Sequence, residues 1–204
     1  MYDAIVIGSG PAGYECARKI GEMGGKAIVV ERDKLGGTCT NYGCIPTKAL
    51  HASASFFSDV KNSSNYGFTV PPASAYFNAI MERKDKVASI MCKGIKKLLG
   101  DSNVAVINGE GKIKDNNTVL VGEKELKAKN IVIATGAHPK LPNGVRTNEF
   151  ILTSNEILKL KELPPRLIII GGGYIGSEFA SIFASLGIKV TILEMLPRIV
   201  SSED

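Results

Sequence analysis

Short apolar runs separated by glycine clusters open the chain. Residues 3–7 form such a run, a glycine-rich turn follows, and residues 12–23 carry apolar positions at helical spacing. A second apolar run at 27–30 ends at Glu31. This pattern predicts a strand, a tight turn, a helix and a second strand, which together have the size of one βαβ unit.

The middle of the chain changes from helical to alternating patterns. A helical segment runs to about residue 60, residues 61–72 are polar and turn-rich, and 77–99 have apolar residues at helical spacing. Residues 104–121 and 125–134 alternate as strands and hairpins do. Within them the continuous apolar run 131–134 predicts a buried strand.

The opening pattern recurs near the end of the chain. An apolar run at 167–170 leads into a second glycine turn, a helix is predicted over 177–186, and the run 190–193 ends at Glu194. Prolines between residues 139 and 144 indicate a boundary before this copy. We therefore expect an α/β, Rossmann-like nucleotide-binding domain over residues 1–144. Residues 145–204 should hold a connector and the first βαβ half of a second such domain.

Both glycine turns have the residues that a dinucleotide site requires. Glycines make the tight turn, admit backbone N–H groups to a pyrophosphate and let the helix pack closely, while the acid ending the second strand accepts hydrogen bonds from ribose. The third glycine and the acid are 18 residues apart in both copies. The residues concerned are Gly8, Gly10, Gly13 and Glu31 in the first copy, and Gly171, Gly173, Gly176 and Glu194 in the second.

One glycine motif is weak evidence because it can be a purely structural turn, but its flanking strand, helix and acid occur twice here. Two dinucleotide sites in one chain indicate a flavin and a nicotinamide between which a hydride passes. A carboxylate at Glu194 repels a 2′-phosphate, so NAD is expected rather than NADP. Arg198 lies four residues further on and would weaken that preference.

Composition and charge exclude several other classes. The formal charge is +5, but the nearest basic run, Lys93, Lys96 and Lys97, fits one solvated helix face, so no nucleic-acid partner is expected. No apolar run approaches the roughly 18 residues of a membrane span. Met1 leads directly into the first apolar run with no secretory signal, so we expect a reducing, cytoplasmic location.

Cys39 and Cys44 lie in the glycine-rich stretch 36–48. On an ideal helix, residues five apart are separated by about 7.5 Å along the axis, whereas a disulfide requires Cα atoms roughly 4.4–6.8 Å apart. A bridge therefore requires a distorted backbone, which Gly43 and Pro46 make possible. So small a closed loop would stabilise the fold little, which favours a redox role.

Two other interpretations of the cysteines stay open. The pair could bind a metal, although no second Cys or His pair at ligand spacing accompanies it, or could be two inert buried thiols. Cys16 and Cys92 fall inside predicted helices and are interpreted as small core residues. His51 and His138 are assigned no catalytic role.

The stretch Gly-Gly-Thr-Cys-Thr-Asn-Tyr-Gly-Cys-Ile-Pro-Thr-Lys, residues 36–48, resembles the redox signature of the class I pyridine nucleotide-disulfide oxidoreductases. Its Ile-Pro-Thr-Lys ending is most similar to that of the dihydrolipoamide dehydrogenases in this family. The resemblance covers essentially the whole chain and implies FAD and NAD as cofactors. It extends the predicted cofactor contacts to Pro11, Ala12, Arg32, Gly37, Thr38, Gly111, Thr135, Gly136 and Ile175.

The resemblance also implies catalytic roles. Cys39 would be the interchange thiol that attacks a substrate disulfide, and Cys44 the thiol that faces the flavin. Lys48 would lie near flavin N5, with Glu178 behind it, and both would also contact cofactor. Tyr174 occupies a position where some members place an aromatic lid over the flavin.

The family reaction would convert dihydrolipoamide and NAD⁺ to lipoamide and NADH. The partner would be dihydrolipoamide or the lipoyl domain of a 2-oxoacid dehydrogenase or glycine cleavage complex, and the parent enzyme a homodimer. The family's return segment and C-terminal histidine base have no match here, so the isolated chain is expected to bind FAD weakly and turn over little. Alternatives are a reductase of the mercuric or glutathione type and a non-catalytic cofactor-binding fragment.

Overall fold

The first predicted strand–turn–helix–strand unit is present in the computed structural model, which describes residues 1–201. Strand β1 (Tyr2–Ile7) is followed by helix α1 (Pro11–Glu22) and strand β2 (Ala27–Glu31). Proline at the first helical position suits a helix start because its missing N–H would have no partner there. Strands β1 and β2 pair in parallel, and their apolar side chains are buried.

A six-stranded sheet is built around this pair, in the order β3-β2-β1-β6-β5-β4. The added strands are β3 (Ala105–Asn108), β4 (Gly111–Asp115), β5 (Thr118–Val121) and β6 (Lys124–Ile133). The pairs β2–β3, β1–β2 and β1–β6 are parallel, whereas β4, β5 and β6 form an antiparallel meander. The parallel core confirms the predicted Rossmann-like α/β fold class.

Three helices lie between β2 and β3 in sequence. They are the short α2 (Gly37–Tyr42), α3 (Cys44–Lys61) and α4 (Phe77–Asp101), with a 3-10 helix at Ser63–Tyr66 inside the predicted loop. The long helix predicted over 77–99 is thus confirmed. Lys93, Lys96 and Lys97 are all exposed on it, as expected for a solvated face.

The second glycine unit also forms as predicted. Strand β7 (Arg166–Ile170), helix α5 (Tyr174–Ser185) and strand β8 (Lys189–Leu193) follow one another, and β7 pairs with β8 in parallel. The helix begins earlier than the predicted start at residue 177 because it starts directly at the glycine turn. Phe179, Ile182 and Phe183 of α5 lie in a buried cluster, whereas Ile170 at the end of β7 is 80% exposed.

The described chain divides into two compact units. The first comprises residues 1–45 and 88–140, and the second comprises 46–87 and the described part from residue 141. The domain bounds expected from sequence, 1–144 and 145–204, stay a prediction.

The strand predicted to be buried at 131–134 is buried only in part. Ile133 is 67% exposed, since it lies at the last position of β6. Its neighbour Val132 packs against the core cluster that contains Val6 and Val29. Among residues 1–201, no helix is long and apolar enough to span a membrane.

Candidate functional site: two glycine turns and a dithiol

The first glycine turn requires glycine at two positions. Gly8 has φ +102°, and a methyl group there would lie 2.2 Å from the carbonyl oxygen of Ala134. A methyl group at Gly13 would lie 2.0 Å from the carbonyl oxygen of Gly8. The turn is therefore packed against the end of β6, which brings the predicted contact residues Thr135 and Gly136 beside it.

The start of α1 suits an anionic ligand. Its N-cap is Gly10, and no side chain caps the first N–H groups, so these donors stay available. A methyl group at Gly37 would lie 2.5 Å from the Cα atom of Gly10, so two backbones meet here without side chains between them. Such a side-chain-free cradle at a helix N-terminus fits the pyrophosphate of a dinucleotide such as FAD.

Glu31 fixes the turn from the end of β2. One carboxylate oxygen accepts hydrogen bonds from the backbone N–H of Ser9 at 2.8 Å and from its hydroxyl at 2.6 Å. The other oxygen accepts the N–H of Asp33 at 2.8 Å. Glu31 is only 8% exposed, so this acid orders the turn in addition to the ribose contact expected of it.

Ser9 is a residue that the sequence analysis missed. It is fully buried, and its hydroxyl oxygen accepts the backbone N–H of Gly36 at 3.2 Å while donating to Glu31. It thereby links the glycine turn to the start of the cysteine stretch. A small polar residue between two turn glycines was the available signal.

The remaining contacts predicted in the first unit lie at varied positions. Gly111 begins β4, and a methyl group there would lie 3.2 Å from side-chain carbons of Ile7 and Val30. Arg32 is exposed and lies 4.0 Å from a carboxylate oxygen of Glu110. Pro11 and Ala12 are exposed in the first turn of α1, and Thr38 is exposed in α2. Their cofactor roles stay predictions.

The backbone break expected between the cysteines occurs at Gly43. This residue separates α2 from α3 with φ −143° and ψ −114°, outside helical geometry. Cys39 is half-buried in α2 and Cys44 is exposed at the first position of α3, and both are free thiols. A methyl group at Gly43 would lie 3.2 Å from the carbonyl oxygen of Thr38, so a side chain at this break would be crowded by α2.

The Cys44 side chain contributes to the electrostatic surroundings of the Cys39 thiol. The pKa of the Cys39 thiol is raised to about 11, mainly by burial and to a smaller extent by the Cys44 side chain. The backbone N–H of Cys44 acts in the opposite direction and lowers the Cys39 pKa. The Cys44 side chain is therefore within hydrogen-bonding reach of the Cys39 thiol.

Tyr14 on α1 has a perturbed hydroxyl group that the sequence does not predict. Burial raises the pKa of its hydroxyl, and smaller contributions come from the charges of Glu15 and Cys39. No motif in the sequence marks this residue.

In the second unit, Lys48 and Glu178 form the predicted pair. The Lys48 ammonium lies 3.1 Å from a carboxylate oxygen of Glu178, although the two residues are 130 positions apart. The lysine side chain is 72% exposed, so the ion pair itself contributes little stability. The geometry instead orients the ammonium group.

The second glycine turn has nearly the same backbone as the first. Gly171 also has φ +102°, and a methyl group at Gly176 would lie 2.1 Å from the carbonyl oxygen of Gly171. The N-cap is Gly173, again without a side-chain cap. Tyr174 and Ile175 are exposed on the first turn of α5.

Glu194 has the same position as Glu31 in the first unit. Its carboxylate accepts the N–H of Gly172 at 2.6 Å and that of Leu196 at 2.8 Å. The Leu196 N–H, followed by that of Gly172, lowers the Glu194 pKa. The acid is therefore held in its charged form at neutral pH.

The family model described as pyridine nucleotide-disulphide oxidoreductase matches residues 2–204. The chain belongs to this family. The resemblance drawn from the cysteine stretch is thereby confirmed. Among residues 1–201, no group of three or more His, Cys, Asp or Glu side chains could hold a metal ion.

Members of this family similar to the chain include two bacterial enzymes. Dihydrolipoyl dehydrogenase from Acholeplasma laidlawii is 41% identical, with 100% of this chain and 62% of that protein aligned. The Mycoplasma pneumoniae enzyme of the same name is 40% identical, with 100% and 46% aligned.

A solved structure is also similar over the whole chain. The HOCl-induced flavoprotein disulfide reductase RclA from Escherichia coli has a TM-score of 0.85 and 35% identity, covering 100% of this chain and 44% of that one. The chain thus spans roughly half the length of these family members.

Proposed function

We propose that the chain is the cofactor- and dithiol-bearing part of a dihydrolipoyl dehydrogenase, with Cys39 and Cys44 as its redox pair. The observation that carries this proposal is the break at Gly43, which places two free thiols side by side. Gly36 and Gly37, at the start of the same stretch, lie against the first glycine turn. Similar proteins that carry this enzyme name support the substrate class.

The first glycine turn is proposed to bind FAD and the second to bind NAD. When bound, FAD supplies an acceptor that passes a hydride equivalent between dithiol and nicotinamide. The uncapped start of α1 and the Gly10–Gly37 cradle suit the flavin pyrophosphate. The charged Glu194 disfavours a 2′-phosphate, which supports NAD.

Lys48 and Glu178 are proposed to act as a pair. The family resemblance assigns Lys48 to the neighbourhood of the flavin, where a cation stabilises the reduced, anionic form. The Glu178 carboxylate, 3.1 Å away, orients that cation. Tyr174, exposed on α5, is proposed as a residue that meets nicotinamide.

Thiol–disulfide exchange at the pair is proposed to follow the family roles. In the direction that reduces lipoamide, Cys39, whose pKa is raised to about 11, reacts through its small thiolate fraction, which attacks one sulfur of the lipoamide disulfide and forms a mixed disulfide. The Cys44 thiolate then attacks the Cys39 sulfur and releases dihydrolipoamide. Two protein thiols are oxidised to one disulfide, and the two released protons end on the dihydrolipoamide sulfurs.

If exposure alone decided the roles, Cys44 would be the thiol that attacks the substrate, because Cys44 is exposed and Cys39 is half-buried. Single-cysteine variants separate the two assignments. With glutathione disulfide, which leaves no tethered thiol to reverse the exchange, Cys44→Ser should retain a mixed disulfide on Cys39, whereas Cys39→Ser should retain little on Cys44. Cys16→Ser is the matched control and should behave as the parent chain. Peptide mass mapping identifies the modified cysteine, and trapping on Cys44 alone would contradict the assigned roles.

The proposed function is tested with the reduced, FAD-loaded parent chain. Oxidised lipoamide should produce a Cys39–Cys44 disulfide and one equivalent of dihydrolipoamide, and dihydrolipoamide should bleach the FAD of the oxidised chain. The similarity to RclA favours a second candidate, a disulfide reductase with another substrate. Faster oxidation by glutathione disulfide than by lipoamide would support that candidate, and the absence of any Cys39–Cys44 disulfide would contradict both.

In the cell, the proposed partner is the lipoyl domain of a 2-oxoacid dehydrogenase or glycine cleavage complex, with the parent enzyme a cytoplasmic homodimer. The enzyme name of the similar proteins supports the lipoyl partner, whereas the location and the homodimer stay predictions. The low turnover expected of the chain by itself also stays a prediction. A lipoamide-dependent NADH oxidation rate near that of the Mycoplasma pneumoniae enzyme would contradict it.

A further inference from the structure

Helix α2, which carries Cys39, is too short to be stable without tertiary contacts. It has six residues, and its N-cap Gly36 provides no side-chain cap. Isolated helices shorter than about 12 residues are marginal in water. The position of Cys39 therefore depends on the groups that hold the ends of α2.

Asn41, two residues after Cys39, is one of these groups. Its side-chain amide donates hydrogen bonds to the carbonyl oxygens of Leu35 and Gly37, both at 3.0 Å. Both N–H groups of the amide are thus engaged, which fixes the amide orientation and leaves Oδ1 as the only free acceptor. Turning the amide over would place its oxygen against two carbonyl oxygens.

Cys92 of α4 faces that acceptor. Its sulfur lies 3.3 Å from Asn41 Oδ1 and 3.2 Å from the carbonyl oxygen of Leu35. A single S–H proton is shared between these two acceptors. Burial raises the Cys92 pKa, with a smaller opposing effect from Lys34, so the thiol stays protonated and able to donate near neutral pH.

No sequence pattern indicates this contact, since the position of Cys92 in a predicted helix favours a small core residue. It is half-buried, and its contacts on α2 and the preceding loop are polar. The other helix cysteine, Cys16, is also half-buried, yet within residues 1–201 no hydrogen bond joins it to α2. Cys92 therefore differs from Cys16 by its contacts rather than by its burial.

We propose that Cys92 is a positioning residue for the Cys39–Cys44 pair, acting through Asn41 and the Leu35 carbonyl to fix helix α2. This role rests on the proposed redox function of the pair. A fixed α2 keeps the Cys39 sulfur close to Cys44, where a disulfide requires Cα atoms roughly 4.4–6.8 Å apart. Loosening α2 lowers the effective concentration of one thiol at the other and makes the disulfide easier to reduce.

The test compares Cys92→Thr with Cys92→Val in the full chain. Threonine and valine have the same branched shape, but only threonine retains a donor for Asn41 Oδ1. The measured quantity is the equilibrium constant for forming the Cys39–Cys44 disulfide in lipoamide–dihydrolipoamide mixtures, read by thiol labelling and peptide mass mapping. Cys92→Val should lower it about 3- to 10-fold, a tenfold change being about 30 mV, whereas Cys92→Thr should stay within about twofold.

A double-mutant cycle with Asn41→Ala adds a second criterion. If Cys92 acts through Asn41, the effects of Cys92→Val and Asn41→Ala on the equilibrium constant should fall well short of additive. Cys16→Val is the matched control and should leave the constant unchanged. Cys92→Ala replaces Cys92→Val if the latter does not show the parent circular dichroism spectrum.

The outcomes distinguish this role from the proposed function. A parent-like constant in Cys92→Val, a loss equal in the Thr and Val variants, or an additive cycle would overturn the role of Cys92 alone. If the parent chain forms no Cys39–Cys44 disulfide, the redox function itself fails and the positioning role fails with it.

Discussion

The two glycine turns have nearly the same backbone but different surroundings. Gly8 and Gly171 share φ +102°, and the third glycine packs on the carbonyl of the first in both. In the first turn, however, a methyl group at Gly8 would collide with the Ala134 carbonyl, whereas no atom of residues 1–201 is within 4 Å of the equivalent methyl position at Gly171. Among these residues the first turn is enclosed, and the second is called the open turn.

A second difference lies in the residue after the first glycine. Ser9 adds a hydroxyl that binds Glu31 and Gly36, and Gly172 has no side chain to do so. The strand, turn, helix and acid are thus set by local sequence, while the enclosure of the turn depends on remote segments. Cys39 and Cys44 both belong to the unit that contains the first turn.

The largest expected effect comes from replacing the first glycine of each turn by alanine. Both variants place alanine at φ +102°, but only Gly8→Ala also forces a methyl group to 2.2 Å from the Ala134 carbonyl oxygen. We expect Gly8→Ala to cost on the order of 4 kcal/mol of unfolding free energy, and Gly171→Ala about 1–2 kcal/mol from backbone strain alone. Urea titration followed by hydrogen exchange of peptides from β1 and β8 measures each unit separately.

The two alanine variants are each other's controls, because they share the backbone strain and differ in the collision. Equal losses in the two units would show that strain alone makes glycine necessary, and that the enclosure by β6 is unimportant for stability. Gly8→Ala should also weaken FAD binding more than Gly171→Ala does, since any shift of Ala134 moves Thr135 and Gly136.

Sequence patterns predicted the elements built within a short stretch of chain but not the contacts between residues far apart in the sequence. Glycine spacing and the terminal acids predicted both βαβ units because each is built within about 30 residues. The Lys48–Glu178 pair was expected only through the family resemblance, since the two residues are 130 positions apart and no spacing rule joins them. Ser9 and Cys92 were missed because their roles depend on partners that periodicity does not reveal.

Ser9 makes the next largest difference between the turns. Ser9→Ala removes the hydroxyl that donates to Glu31 at 2.6 Å and accepts from Gly36 at 3.2 Å. Because Ser9 is fully buried, we expect a loss of about 1–2 kcal/mol in the first unit. Urea unfolding of the variant, monitored by hydrogen exchange in peptides from β1, measures this loss.

The matched control is Ser177→Ala in the second unit. The Ser177 hydroxyl donates to the Gly172 carbonyl oxygen at 3.3 Å in a half-buried setting, so its removal should cost about 0.5 kcal/mol. A loss from Ser177→Ala as large as that from Ser9→Ala would indicate that both turns depend equally on hydroxyl groups.

The smallest expected effect is the pH dependence of the open turn. The Leu196 and Gly172 N–H groups lower the Glu194 pKa below its usual value of 4.5. A carboxylate whose folded pKa is lowered contributes stability that is present above the unfolded pKa and is lost as the pH falls through the folded pKa.

We therefore expect the backbone amide proton of Gly172 to titrate in the NMR spectrum with a midpoint below 4.5. This titration should vanish in Glu194→Gln, because the glutamine side chain has no proton to gain in this range. A midpoint at or above the usual value, or a titration that persists in Glu194→Gln, would show that the open turn is not held by its acid.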